Sequence, residues 1–140
     1  HVLFAAPDAR LGQPEIQLGV FPPAATALLP ERMARGAAES LLFSGQPISA
    51  TEAAHAGLVT VVADDPEAAA LEWFTRGPLR HSPSSLRLGV RAARAELVAR
   101  VLPRLERLEQ FYLNELMSTR DALEGLTAFL AKRPPQWEGR

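Results

Sequence analysis

Pro14 narrows the backbone of this chain more than any other residue, because of where it stands, in the run Leu11-Gly12-Gln13-Pro14-Glu15-Ile16. Its ring fixes its own φ and pushes Gln13 into an extended conformation. Glu15 therefore leaves a stiff piece of backbone. It opens a segment in which Ile16, Leu18 and Val20 alternate with polar residues or Gly, and that alternation predicts a strand. A carboxyl group on a rigid support beside apolar walls suits acid–base chemistry near neutral pH, since desolvation favours its protonated form. A solvated turn glutamate is the competing reading, and an isolated Pro-Glu pair does not separate the two.

The rest of the chain bounds the problem. Its 140 residues are one domain's worth, enough for a real core. No uninterrupted apolar run is long enough for a bilayer, and no signal-peptide pattern is present. The formal net charge of -1 argues neither for nucleic acid nor for an acidic membrane surface. With no cysteines, disulfides, thiolate metal sites and a cysteine nucleophile are excluded, which fits a cytoplasmic protein.

Local signals divide the chain further. His1 to Ala6 reads as a buried strand needing partners on both sides, and Pro7 to Arg10 as a turn. Gly19 to Pro23 reads as a constrained loop and Ala24 to Met33 as a helix broken at Pro30. Gly36 separates that helix from another, Ala37 to Phe43, which Gly45 ends. Ser49 with Glu52 is a capping box for a short helix closed by Gly57, and Leu58 to Val62 is a strand. Asp65-Pro66 opens a helix to about Arg76, and Ser82-Pro83 opens another to about Ala95. A third, from about Arg100 to Met117, carries the stripe Val101, Leu105, Leu108, Tyr112 and Leu116, with Pro103 in its first turn. Asp121 with Glu124 caps a last helix, which Pro134 stops. The 61–65 region and Gly77-Pro78 are the expected hinges. The stripe is equally compatible with intramolecular core and with a subunit interface.

Several runs resemble one family. Gly12-Gln13-Pro14-Glu15-Ile16 followed by Leu18-Gly19-Val20-Phe21-Pro22 is similar to a signature of the crotonase superfamily, the enoyl-CoA hydratases and isomerases. So are Leu41-Leu42-Phe43-Ser44-Gly45 with Ile48-Ser49-Ala50, then Glu52-Ala53-Ala54 and Ala56-Gly57-Leu58-Val59. Glu124-Gly125, Ala128-Phe129-Leu130 and Lys132-Arg133-Pro134 continue the likeness. It runs over nearly all of the chain, but corresponds to the C-terminal half of such proteins. That half-length match, with the abrupt opening strand, leads to the expectation of a fragment. The fold class implied is α/β. Residues 1–63 would be the end of a spiral of β–β–α turns carrying the Glu15 motif, and 64–140 a helical region for packing and trimerisation.

The resemblance also implies a chemistry. A CoA thioester carbonyl is held by two backbone N–H groups while carboxylates move protons and orient water. Glu15 matches one of two catalytic glutamates, the one assigned proton donation. The other glutamate and both oxyanion donors belong to segments upstream of His1. Phe129 and Lys132 match an aromatic-x-x-lysine that reaches the nucleotide end of CoA bound to a neighbouring subunit. Three residues apart, they are expected to share a helical face. A core Phe with a Lys favoured by the helix dipole is the alternative.

One departure matters. Where common hydratases have a glycine-rich run after the motif, this chain has Pro22-Pro23-Ala24-Ala25-Thr26. Gly19-Val20-Phe21-x-Pro23-Ala24-Ala25 and Leu28-Leu29-Pro30 instead resemble cyclohexa-1,5-diene-1-carbonyl-CoA hydratases of anaerobic aromatic-compound degradation. Asp65 to Leu71, Leu86-Arg87 with Val90 to Arg94, and Tyr112-Leu113 with Glu115 to Met117 do the same. Phe21 and Pro23 become expected substrate-side positions. The implied partners are an acyl-CoA thioester, copies of the same chain as a trimer or pair of trimers, and an N-terminal chain of the same protein. No metal and no cofactor beyond the substrate's own CoA is expected. Another crotonase-type enzyme, an isomerase or ring-opening hydrolase, and a non-catalytic assembly fragment remain as alternatives.

Other residues carry blander readings. His1, His55 and His81 lack metal-ligand spacing, and Asp64-Asp65 is explained by helix capping. Arg87, Arg91, Arg94 and Arg100 form a basic face, read as solvated, with CoA phosphates as the functional alternative.

Overall fold

Proline, glycine and small hydroxyl or carboxyl caps set the element boundaries. The structure, a computed structural model, describes residues 1–140. Four short strands are β1 (Phe4–Ala5), β2 (Arg10–Leu11), β3 (Ile48–Ser49) and β4 (Val61–Val62). Six α-helices are α1 (Pro23–Leu28), α2 (Arg35–Ser44), α3 (Ala50–His55), α4 (Pro66–Arg76), α5 (Pro83–Asn114) and α6 (Arg120–Leu130). Strand β1 pairs parallel with β4, Phe4 opposite Val61, and β2 pairs antiparallel with β3, Arg10 opposite Ser49.

Several boundaries follow from side-chain chemistry. Ser49 Oγ accepts from Glu52 N at 3.2 Å while Glu52 Oε2 accepts from Ser49 N at 2.7 Å, the reciprocal box that starts α3. Asp65 caps α4 through Ala68 N at 2.9 Å, with Pro66 in the first turn, where no N–H is required. Gly45 ends α2 in the left-handed region at φ 64°.

Several expectations are corrected. The opening strand shrinks to Phe4–Ala5, half-buried and paired on one side only, and Leu58 to Val62 shrinks to Val61–Val62. The motif segment is no strand: Pro14–Leu18 is a 3-10 helix. The two helices expected between Ser82 and Met117 are one, α5, of 32 residues. Pro103 lies inside it rather than in a first turn. The long run of helix formers around Pro103 carries the helix across the one missing N–H. Finally, α6 is capped by Thr119, whose Oγ1 accepts from Ala122 N at 3.2 Å, and not by Asp121. The helix stops at Leu130, ahead of Pro134. Gly36 also falls inside α2 rather than before it.

The core is small. Leu29, Met33, Ala38, Leu41 and Leu42 form its centre, with Ala25, Ala37, Ile48, Ala56 and Leu58 around it. Helices α4 and α5 contribute no buried residue. The stripe Val101, Leu105, Leu108 and Tyr112 on α5 is half-buried, as is Leu116 in the 3-10 turn that follows, and α5 packs on α1, so the stripe serves this chain's own packing. Arg100 closes that contact with Nε and Nη2 on Glu31 Oε2 at 3.1 and 2.9 Å. Large apolar side chains on α4 to α6 stay outside, including Leu71, Leu102, Leu113, Leu123 and Leu130.

Helix α6 reaches the motif by an approach only glycine permits. A methyl group placed on Gly125 would lie 2.0 Å from the Leu18 carbonyl oxygen, which no rotamer change relieves. Gly125→Ala should therefore push α6 off the 3-10 helix and destabilise the fold by about 1–3 kcal/mol. Urea unfolding checks this, and an unchanged midpoint would show that α6 does not pack there in solution.

Candidate active site

Glu15 sits in the first turn of the 3-10 helix. Pro14 opens that helix and an extended Gln13 (φ -131°, ψ 80°) leads into it. In a 3-10 helix residues three apart eclipse. That period, not two, sets the burial: Glu15 and Leu18 are half-buried while Ile16 and Gln17 are exposed. The helix closes at Gly19, left-handed at φ 73°, whose N–H donates to the carbonyls of Glu15 and Ile16. Val20 N donates to the Glu15 carbonyl at 3.3 Å.

Three neighbours hold this turn. Strand β2 feeds directly into Gly12, whose missing side chain accommodates Pro47: a methyl there would lie 3.1 Å from Pro47 Cα. Gln17 Nε2 donates to the Gly45 carbonyl at 2.8 Å, tying the motif to the end of α2. Helix α6 closes the third side at Gly125. Within this frame Glu15 Oε2 is buried without a hydrogen-bond partner, alone among the side-chain polar atoms. Buried oxygens are normally satisfied, so one left open on a rigid support sets Glu15 apart from the other carboxylates of the chain.

The other expected site residues do not converge on Glu15 in one cleft. Phe21 stacks on Phe111 (centroids 5.8 Å, 28°) and meets Tyr112 edge-on at 5.6 Å, so its ring anchors the motif loop to α5. It also lines a cleft of about 530 Å³ with Asn114, Leu116 and Thr119. Pro23 starts α1. Phe129 is exposed on α6, but Lys132 does not share its helical face, because the helix has ended. Lys132 adopts φ 51°, a left-handed conformation in which its N–H reaches the Phe129 carbonyl at 3.1 Å while Arg133 N reaches the Ala128 carbonyl at 3.0 Å. This pair of bonds is a Schellman closure, with Lys where Gly is usual. Arg100 belongs to the Glu31 ion pair and not to a free basic face. A cleft of about 720 Å³ near the start of α5 is lined by His1, His81, Ser82 and Arg94, and Glu15 is not part of its wall. No group of three or more His, Asp or Glu side chains converges as metal ligands do.

The matches with known proteins bear on this geometry. The sequence model of the enoyl-CoA hydratase/isomerase family matches residues 2–140. The chain belongs to that family. It is 55% identical over 140 residues to a cyclohexa-1,5-dienecarbonyl-CoA hydratase of Thauera aromatica, covering 100% of this chain and 54% of that protein. A probable enoyl-CoA hydratase of Bacillus subtilis (strain 168) is 37% identical over 143 residues, 99% of this chain and 55% of its own length. A carnitinyl-CoA hydratase from Mycobacterium avium superposes with a TM-score of 0.84 at 30% identity, over 99% of this chain and 55% of that one. The chain thus spans about half the length of the curated relatives it matches. The helix-rich fold, 64% helical, is that of the crotonase neighbours, in agreement with the α/β, C-terminal-spiral reading.

What the sequence missed is what supports the motif. The spacing of Asp121 and Glu124 predicts a capping pair. Instead, Glu124 makes a two-pronged ion pair with Arg133, at 2.6 and 2.8 Å, and accepts from Gln136 N at 2.8 Å. The Arg133 guanidinium and the Gln136 N–H hold the Glu124 carboxyl well below its ordinary 4.5, at about 2. A depressed carboxyl contributes stability that is complete above pH 4.5 and is lost as pH falls through about 2. Glu124→Gln should therefore melt lower than wild type above pH 4.5, the gap closing between pH 4.5 and about 2. Parallel melting curves test this, and a gap independent of pH would refute the clamp.

Proposed function

We propose that this chain contributes the acid–base carboxylate Glu15 to an acyl-CoA hydratase that adds water across a conjugated, cyclic dienoyl thioester. The observation that carries the reading is the buried, unpartnered Oε2 of Glu15, on a turn held from three sides. Identity of 55% to a cyclohexa-1,5-dienecarbonyl-CoA hydratase supports the ring substrate. The stiff Pro22-Pro23 stretch in place of a glycine-rich loop agrees with it.

In this reading the thioester carbonyl rests on two backbone N–H groups that stabilise an enolate, and a second carboxylate takes a proton from the attacking water. Those groups belong to segments that the relatives carry ahead of the part matching this chain. The hydroxyl adds to the ring carbon, and Glu15 in its acid form delivers a proton to the enolate carbon, so one water is consumed and no redox change occurs. The proton taken from water by the second carboxylate is returned to Glu15 through solvent before the next turnover, which closes the cycle. Phe129 and Lys132 offer an aromatic face and a point charge to the nucleotide end of CoA, each fully outside the core. Phe21 and Pro23 shape the acyl side of the loop. No cofactor beyond the substrate's CoA is needed.

Residues 1–63 act as the end of the spiral core and 64–140 as the packing region. The exposed apolar side chains of α4 to α6 are covered by the remainder of the enzyme and by further copies in a trimer or pair of trimers. No helix is long and apolar enough to cross a membrane. A cytoplasmic enzyme of anaerobic aromatic-compound breakdown is the setting this reading favours.

Glu15→Gln keeps shape and removes the titrating proton. In the complete enzyme it should lower kcat on a cyclic dienoyl-CoA by roughly 10²–10⁴-fold with KM little changed. Turnover near the wild-type rate would sink the role of Glu15. Product without added oxygen from labelled water would point instead to an isomerase. Lys132→Ala should raise KM about tenfold, the loss of one charge-assisted contact, and leave kcat intact. An unchanged KM returns Lys132 to helix closure alone.

A further inference from the structure

Residues 134–140 form no regular element, yet they are fastened closely to the start of α6. Asp121 accepts from Glu138 N at 2.7 Å and from Gly139 N at 2.9 Å. The Arg140 carbonyl in turn accepts from the free first-turn N–H groups of Arg120 and Asp121, at 2.8 and 3.2 Å. Arg120 pairs with Glu138 at 3.4 Å, and the Glu124 clamp secures the near end through Arg133 and Gln136. Both ends being tied, the middle of the strap has one large side chain to place, that of Trp137.

The indole is placed at the crossing of the motif and α6. A methyl on Gly19 would lie 3.0 Å from Trp137 Cζ3 and 3.2 Å from Cη2, and a methyl on Gly125 would lie 3.0 Å from Cη2. Trp137 is 49% exposed, and the covered edge of its ring lies against both the closing residue of the Glu15 helix and the helix behind it. That helix has five residues and no side-chain cap, and its hydrogen bonds are of the weaker 3-10 type. Its closure rests on Gly19 N and Val20 N meeting the Glu15 carbonyl. A shift of Gly19 therefore moves Glu15 directly.

We infer that Trp137 is a positioning residue for Glu15: the C-terminal strap, locked by Asp121 and Glu124, presses the indole on Gly19 and so fixes the aim of the buried carboxyl. The inference rests on the catalytic reading of Glu15, and the experiment separates the two. In the complete enzyme, hydrogen exchange is read at the Gly19 and Val20 amides, with the Leu58 amide, bonded to the Ala53 carbonyl at 2.9 Å, as internal reference. Trp137→Ala should speed exchange at Gly19 and Val20 about tenfold and leave Leu58 unchanged. It should lower kcat at least tenfold with KM unchanged, and Trp137→Phe should restore most of the rate. Where Trp137→Ala does not fold, Trp137→Leu is read the same way. In a Glu15→Gln background the Trp137 change should cost nothing more, since one acts through the other. Unchanged exchange at Gly19 and Val20 overturns the inference, as does faster exchange with full kcat or a full additional loss in the Glu15→Gln background. Near-wild-type turnover by Glu15→Gln alone sinks the catalytic reading, whatever the exchange shows.

Discussion

The site depends on one close approach, that of α6 to the Leu18 carbonyl at Gly125. Backbone meets backbone there, and the space is less than a methyl group. Everything around Glu15 is arranged to allow that crossing. Gly19 turns left-handed beneath Asp121, and the strap returns to lay one edge of the Trp137 ring beside it. A glycine at such a point is retained for access, and its conformational cost is offset by packing that no larger residue allows.

This arrangement explains how a weak element supports a demanding residue. A five-residue 3-10 helix has little stability of its own, and its pieces come from far apart in the chain. Gly12 lies on Pro47, Gln17 bonds Gly45, and Gly19 faces Asp121 and Trp137. Rigidity at Glu15 is thus borrowed from α2 and α6, the two helices packed on the 3-10 turn. Such external support is what lets a carboxyl oxygen stay buried with no protein partner, a state that a mobile loop would relax by exposing it.

The surface tells a complementary story. Helices α4 and α5 bury no residue completely, and much of their apolar surface faces outward. A domain of this length ordinarily covers more of itself. The chain spans about half the length of the hydratases it matches. One edge of α5 packs on α1, while the apolar side chains on its other sides are exposed.

Local chemistry was legible wherever one or two neighbours decide it. The Ser49–Glu52 box, the Asp65-Pro66 start and the Gly45 stop stand where the sequence puts them, whereas Glu15 stands out only through the family resemblance of the run around it. The strand expected at Ile16, Leu18 and Val20 was wrong because alternation over five residues is also compatible with a turn of period three, and Gly19 chose the turn. Pro103 suggested a break that α5 ignores. Asp121 and Glu124 had the right spacing for a cap but serve residues 133–139 instead, a partnership with no local signal. By itself, then, the sequence determined the family and the caps at Ser49, Asp65 and Gly45, since these depend on residue type and short spacing. Only the tertiary structure decided that Glu15 is left unpartnered, that Lys132 lies past the helix, and that Trp137 stands behind Gly19. Those facts depend on which backbones can approach each other, and that is settled by packing among residues distant in the chain.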